Sequence, residues 1–212
     1  MKTALLALVA LASAPLAQED WKPLFNCKDL ENWTQTGSAK WRVEDGVIVG
    51  GQDGDPKRGG FLSTKDQYQD FELVLDFMID EHGKYNSGIY LRNDPMPAGQ
   101  SGYQVNIGRA EVKEYTGGVV VHQDKGGIRW VATGDEKDEA RKVKEWNTMK
   151  VLAKGAHLEV ELNGKKIVDV TDPEPKPKFL QKGIIAFQTY GAEGHAGWVK
   201  FRNLKIRELA TK

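Results

Sequence analysis

The chain has 212 residues, 40% of them hydrophobic and 28% charged, which is a globular and not a disordered composition. Thirty basic residues balance thirty acidic ones, so no net field draws the molecule to nucleic acid or to an anionic membrane, and both are set aside as partners. The single cysteine, Cys27, excludes an internal disulfide and a cysteine-based zinc site, and is expected as a free, half-buried thiol.

The first residues read as a leader. Lys2 precedes the apolar run ALLALVALA (Ala4 to Ala12), which is too short to span a bilayer, and small residues follow up to Ala17. Cleavage after Ala17 is expected, giving a secreted or periplasmic protein with no membrane insertion after the leader is removed. Residues 18–212 then form one domain, with no internal repeat or linker to divide it. About 195 residues suffice to bury roughly 70% of the unfolded chain's surface.

Period-two patterns dominate the rest. Trp41 to Glu44 and Val47 to Val49 flank Asp45-Gly46, a hairpin signal. Phe71, Leu73, Leu75, Phe77 and Ile79 alternate with Glu72, Val74, Asp76, Met78 and Asp80. GIYLR (Gly88 to Arg92), YQVNI (Tyr103 to Ile107) and GGVVVH (Gly117 to His122) follow as further strands. Asp135 to Lys144 is polar all round, which predicts a solvated loop or one short exposed helix. Thr148 to Ala153, His157 to Leu162, Lys165 to Val170, Ile184 to Gln188 and Trp198 to Glu208 complete about a dozen strands, and Asn163-Gly164 supplies a second hairpin turn. Many strands with almost no helix predict an all-β fold, either two packed antiparallel sheets or a barrel.

Several segments in order resemble the 3-keto-disaccharide hydrolase family. They are Leu24-Phe25-Asn26-Cys27-Lys28-Asp29-Leu30 with Trp33, Trp41 to Ile48, Asn86-Ser87-Gly88-Ile89-Tyr90-Leu91-Arg92, and Gly102 to Ile107. Tyr115-Thr116-Gly117-Gly118-Val119, Trp146-Asn147, Leu162-Asn163-Gly164 and Phe201-Arg202-Asn203-Leu204 continue the series, so the likeness runs from residue 24 to 209. Gln188-Thr189-Tyr190-Gly191 fits a further family segment of the form Q-x-x-G. The resemblance implies a concanavalin-like jelly-roll sandwich of two antiparallel sheets, an exported protein, and lyase or net hydrolase action on 3-keto-glucosides. The chain departs from the family at Cys27, where glycine is usual, and at Val119 to His122.

The residues can be weighed against that chemistry. A retaining glycosidase sets two carboxylates about 5–5.5 Å apart, on this architecture often as E-x-D-x-E along one strand, and no such run occurs. Glu159 and Glu161 alternate correctly but sit beside a hairpin and are expected on a solvated face. A 3-keto sugar needs instead one base for the C2 proton, one stabiliser for the enolate and one acid for the leaving group. By strand parity Asn86, Gly88, Tyr90 and Arg92 share one face, and Gln104 and Asn106 share another, which predicts a hydrophilic sugar-binding hollow. Arg92 is the expected oxyanion stabiliser, with Gln104 and Asn106 on hydroxyls. Glu114 leads the candidates for base, with His122 and His195 as alternatives, because imidazole titrates near neutrality. Trp130, Tyr190 and Trp198 are the expected aromatic platforms, Gln188 is a further polar candidate, and Trp21, Trp33, Trp41 and Trp146 are expected in core or edge positions.

No cofactor is required by the sequence. A divalent ion would polarise the C3 ketone, yet neither H-x-H nor H-E-x-x-H occurs, and Gly50 to Asp55 reads as a plain turn rather than a calcium loop. The expected partner is an oxidised saccharide, and the oligomeric state is open. Two rival readings stand beside the enzyme: a non-catalytic carbohydrate-binding module of the same fold, and a structural sandwich with a shallow polar face.

Overall fold

A computed structural model of the chain describes residues 20–82, 85–95, 102–122, 127–190 and 196–210. The expected leader and His195 lie outside the described residues. Among the described residues, fifteen strands form two antiparallel sheets. The first sheet contains β1 (Lys22–Pro23), β3 (Lys40–Glu44), β4 (Val47–Gly51), β6 (Phe71–Ile79), β11 (Asn147–Lys154), β12 (His157–Leu162), β13 (Lys165–Thr171) and β15 (Trp198–Glu208). Its order is β13-β12-β11-β6-β15-β4-β3, with β1 also paired to β15. The second contains β2 (Trp33–Gly37), β5 (Gly60–Thr64), β7 (Ser87–Asn93), β8 (Gly102–Ile107), β9 (Val119–His122), β10 (Ile128–Ala132) and β14 (Ile184–Thr189), in the order β10-β9-β8-β7-β14-β5-β2. Consecutive hairpins lie at the ends of the sheets, and crossing connections bring β14 and β15 into their middles. This is the expected two-sheet sandwich rather than a closed barrel.

Alternation sets the core. Phe71, Leu73, Leu75 and Phe77 of β6 pack inward with Ile89 and Leu91 of β7, Tyr103, Val105 and Ile107 of β8, and Phe187 of β14, all fully buried. Phe187 stacks on Phe201 with ring centroids 4.2 Å apart, tying the central strands of the two sheets together. Outward residues of the first sheet are charged and paired: Glu72 meets Lys150 and Arg207, and Glu159 meets Lys166. The solvated reading of Glu159 and Glu161 agrees with this face.

The strands β1, β2, β5 and β10 were not legible from pattern. β2 reads Trp-Thr-Gln-Thr-Gly and β5 Gly-Phe-Leu-Ser-Thr, too short and mixed to show a period. Residues 135–144 form a loop and no helix. That loop is not simply solvated. The buried Asp135 carboxylate accepts from the N–H groups of Glu139, Ala140 and Arg141, and the buried Arg141 pairs with Glu81 at 2.6 Å and Asp138 at 2.8 Å. Cys27 is exposed rather than half-buried, and sits in the left-handed region at φ 61° within a turn closed by the Asn26 side chain. Gly50 and Gly51 end β4 and residues 52–55 make the expected turn, with Arg58 paired to Asp53 and Asp55.

Candidate active site

The outer face of the second sheet is not solvated like its counterpart. Gln104 and Asn106 of β8 point away from the core, yet are only 6% and 7% exposed, and Gln188 of β14 lies beside them at 7%. They floor a cavity of about 300 Å³ whose other lining residues are Asn86, Glu114, Val120, His122, Ile128, Trp130 and Tyr190. The expected hydrophilic hollow therefore exists, and its floor is made of neutral amides.

Local backbone chemistry builds it. Cross-strand pairing sets Ile128 opposite His122 and Trp130 opposite Val120, so the β9–β10 ribbon carries one imidazole and an apolar wall. Gly88 is opposite Asn106 in register, and a Cβ there would stand 2.3 Å from Gln104 Nε2, so the glycine leaves room for that carboxamide to lie flat. Glu114 follows a short 3₁₀ turn (Ala110–Val112) and the left-handed Lys113 at φ 61°. Its backbone folds back over β8 because Gly108 has no side chain; a Cβ there would meet Glu114 O at 2.2 Å. The Thr116 hydroxyl fixes the return, donating to Gly108 O at 2.7 Å and accepting from Gly108 N at 3.2 Å. Gly118 lets the Trp130 ring approach, since its Cβ would fall 2.6 Å from that ring. These close approaches account for the Tyr-Thr-Gly-Gly segment.

The polar groups are mutually bonded. Asn106 Nδ2 donates to Tyr115 O at 3.4 Å, and Gln104 Nε2 donates to Asn106 Oδ1 at 3.3 Å and Gln188 Oε1 at 3.4 Å. Gln104 Oε1 lies 2.6 Å from His122 Nε2, and the Tyr90 hydroxyl lies 3.2 Å from the same nitrogen. The Tyr90 ring stacks on the imidazole, with centroids 5.3 Å apart. Burial lowers the His122 pKa and favours neutral imidazole. Burial also raises the Tyr90 phenol, which stays protonated.

The structure thus brings together Asn86, Gln104, Asn106, Glu114, His122, Gln188 and Tyr190, with Trp130 on the wall, and Tyr90 sits directly behind His122. It removes two expected members. Arg92 has φ 56° at a bulge where β14 shifts register between Ile184 and Ala186, which breaks the alternation from Tyr90. Its guanidinium instead donates from Nη1 to Gly155 O at 2.7 Å and lies over the Tyr103 ring, 5.9 Å from the centroid, among buried groups. Trp198 belongs to the first sheet. Its neighbours Val199 and Phe201 fill the core, so Trp198 points outward beneath Lys200, whose Nζ is 4.8 Å from the ring centroid. Trp33 and Trp41 are buried as expected, while Trp21 and Trp146 lie under Arg207 and Arg202 of β15, outside the buried core.

Val120 and Ile128 line the hollow without having been site candidates, and Gln52 supports the Tyr190 backbone. Ile128, 50% exposed, rims the hollow as an ordinary strand residue. Gln52, within the glycine-rich turn, is fully buried; its Nε2 donates to Tyr190 O at 2.6 Å and its Oε1 accepts from Gly197 N–H. It fixes the backbone that presents Tyr190.

The described pocket residues do not fit a metal site. They offer one imidazole and one carboxylate, short of three protein ligands. Among the described residues, three ligand-type groups converge within 4.8 Å at His157, Glu159 and Asp169. Those lie on the outer face of the other sheet, where Lys166 bridges Glu159 at 2.7 Å and Asp169 at 3.0 Å.

The architecture is an antiparallel two-sheet sandwich with an amide-floored, aromatic-walled hollow on one sheet. The 3-keto-alpha-glucoside-1,2-lyase-like domain matches residues 20–207, and the chain belongs to that family. A putative glycosyl hydrolase from Parabacteroides distasonis is 29% identical, with TM-score 0.64, over 90% of this chain and 100% of that one. A carbohydrate-binding module, CBM66 from Bacillus subtilis, shares the fold at 18% identity and TM-score 0.61, covering 84% of this chain and 96% of that one. A Bacillus subtilis protein with a galectin-like fold does so at 14% identity and TM-score 0.66, over 92% and 99%. A search of the curated proteins finds no match.

Proposed function

We propose that the protein cleaves 3-keto-glucosides by elimination followed by hydration. The observation that carries this reading is the convergence of one carboxylate, one imidazole and four amides in a single walled hollow. The ketone at C3 acidifies the C2 proton. A base removes it, the electron pair passes to the C3 oxygen as an enolate, and its return expels the C1 aglycone, which takes a proton from an acid. Water then adds across the C1–C2 double bond to give the free 3-keto sugar. Glu114 and His122 are the titratable pair available for acid and base work. With Arg92 elsewhere, the enolate oxygen is left to neutral donors, and Asn86, Gln188 and Tyr190 carry such groups into the pocket. Trp130 and Tyr190 supply faces for the sugar ring.

Family membership and the 29% identical relative support action on carbohydrate. Incubation with 3-keto-trehalose and with trehalose tests the finer reading: only the oxidised sugar is consumed, with release of glucose. Saturable sugar binding with no product over hours makes the protein a binding module instead. The apolar run at residues 4–12 supports export ahead of this chemistry, and a mature N-terminus at Gln18 is the outcome to look for.

A further inference from the structure

We infer that a relay of carboxamides fixes His122 as its Nε2–H tautomer, leaving the Nδ1 lone pair as the base of the pocket and making Gln104 and Asn106 positioning residues. The assignment starts from a group that has no choice. The Tyr115 backbone carbonyl can only accept, so Asn106 must turn its Nδ2 toward it, across 3.4 Å. Asn106 then presents Oδ1 to Gln104, 3.3 Å away, and Gln104 must answer with Nε2. The other end of the Gln104 carboxamide is therefore its oxygen, and that oxygen stands 2.6 Å from His122 Nε2. An oxygen this close tolerates only a donor, so the proton resides on Nε2. Each step is forced by the one before, and reversing any single amide would set two acceptors or two donors face to face.

The surroundings hold the relay in place. Gly88 provides the space in which the Gln104 carboxamide lies flat, and Gln188 Oε1 provides a second acceptor for Gln104 Nε2 at 3.4 Å. The Tyr90 hydroxyl, 3.2 Å from Nε2, accepts a share of the same proton, and the stacked phenol ring fixes the plane of the imidazole. Among the described residues Nδ1 has no hydrogen-bond partner, and His122 lines the cavity. A neutral imidazole with its second nitrogen tied back is the arrangement of a general base, because the bound nitrogen stabilises the positive charge that arrives on protonation. The catalytic consequence rests on the function proposed above, with Glu114 left as the acid for the departing aglycone. The tautomer itself does not depend on that function.

Long-range proton–nitrogen correlation spectra of the full chain, labelled with nitrogen-15, read the tautomer directly, with the His122 signals assigned by their loss in H122Q. At pH 7.5 the expected pattern is a protonated Nε2 and an unprotonated Nδ1. In Gln104→Glu the carboxylate stabilises imidazolium and moves the His122 titration midpoint up by about one pH unit or more. In Gln104→Leu the acceptor is gone, the tautomers mix, and kcat on 3-keto-trehalose falls more than KM changes. An Nδ1–H tautomer in the unaltered protein overturns the inference whatever the activity, as does a His122 midpoint unmoved in Gln104→Glu. A Nε2–H signal in a protein that turns over no 3-keto-glucoside upholds the relay and removes the lyase reading alone.

Discussion

Gly88 lies directly under the carboxamide of Gln104, so close that a Cβ on residue 88 would stand 2.3 Å from Nε2 and 2.8 Å from Cδ. An invisible side chain thereby shapes the floor of the pocket. The backbone at residue 88 is ordinary strand, so the requirement is for space and not for an unusual dihedral angle.

Gly88→Ala is therefore expected to lift Gln104 out of its contact with His122 while leaving the sandwich folded. A misplacement of this size lowers kcat/KM by about 100-fold. Steady-state kinetics on 3-keto-trehalose, with circular dichroism as the control for folding, checks it. Full activity in the variant removes Gln104 from the machinery.

Arg92→Ala separates structure from catalysis. The arginine links Gly155 O and the Tyr103 ring away from the cavity. Its loss is expected to cost about 1–3 kcal/mol in urea unfolding and to leave kcat/KM per folded molecule unchanged. A large fall in kcat with unchanged stability would return Arg92 to the site.

Cys27 occupies a left-handed conformation at φ 61° on an exposed turn. Glycine adopts this region without the Cβ contact that a side chain suffers, so Cys27→Gly is expected to stabilise the fold by about 1 kcal/mol. Chemical denaturation of the two proteins side by side gives the answer, and a less stable variant refutes the strain argument.

Asp172 and His122 respond to acid in separate windows. Burial by itself raises the Asp172 pKa, but Arg129, the Glu174 N–H and the Tyr103 hydroxyl outweigh it and hold the carboxyl below its ordinary value. Such a group contributes stability that is complete above an unfolded pKa of about 3.9 and is lost as pH falls through the folded value. Asp172→Asn is expected to lose about 2 kcal/mol at pH 7 and to lose less than the unaltered protein between pH 4 and pH 2, judged by urea midpoints across about six pH values. His122 acts higher. Its pKa is lowered by burial, so its contribution is complete above about 6.5 and declines as pH falls below that. The same depression places the acid limb of kcat/KM below about pH 6.5, and a limb above it excludes His122 as the base.

Much of the pocket was legible because a strand has only two faces. The parity of Tyr103 to Ile107 is enough to put Gln104 and Asn106 together, and His122 terminates an apolar strand where a polar side chain has to face a loop or a hollow. Arg92 defeated the same rule because one bulge reverses it: Tyr90 keeps the expected face, and the residue two places on does not. Gln52 gave no sign at all, since its role comes from backbone groups at Tyr190 and Gly197, more than a hundred residues away, beside a local bond to Pro56 O.

Composition and alternation by themselves determined that this chain would fold as an antiparallel all-β protein, a sandwich or a barrel, because burying one side of each strand needs only local sequence periodicity and a second layer to cover it. They did not determine which outward side becomes the pocket. Trp198 and Gln104 both point away from the core, one on each sheet, and parity treats them alike. Only the strand order, which sets β9 beside β8 and β10 beyond β9, and the tight seats at Gly88, Gly108 and Gly118 turn one of those two faces into a walled hollow. Those are contacts between one strand or turn and the next, and the period of a single strand does not encode them.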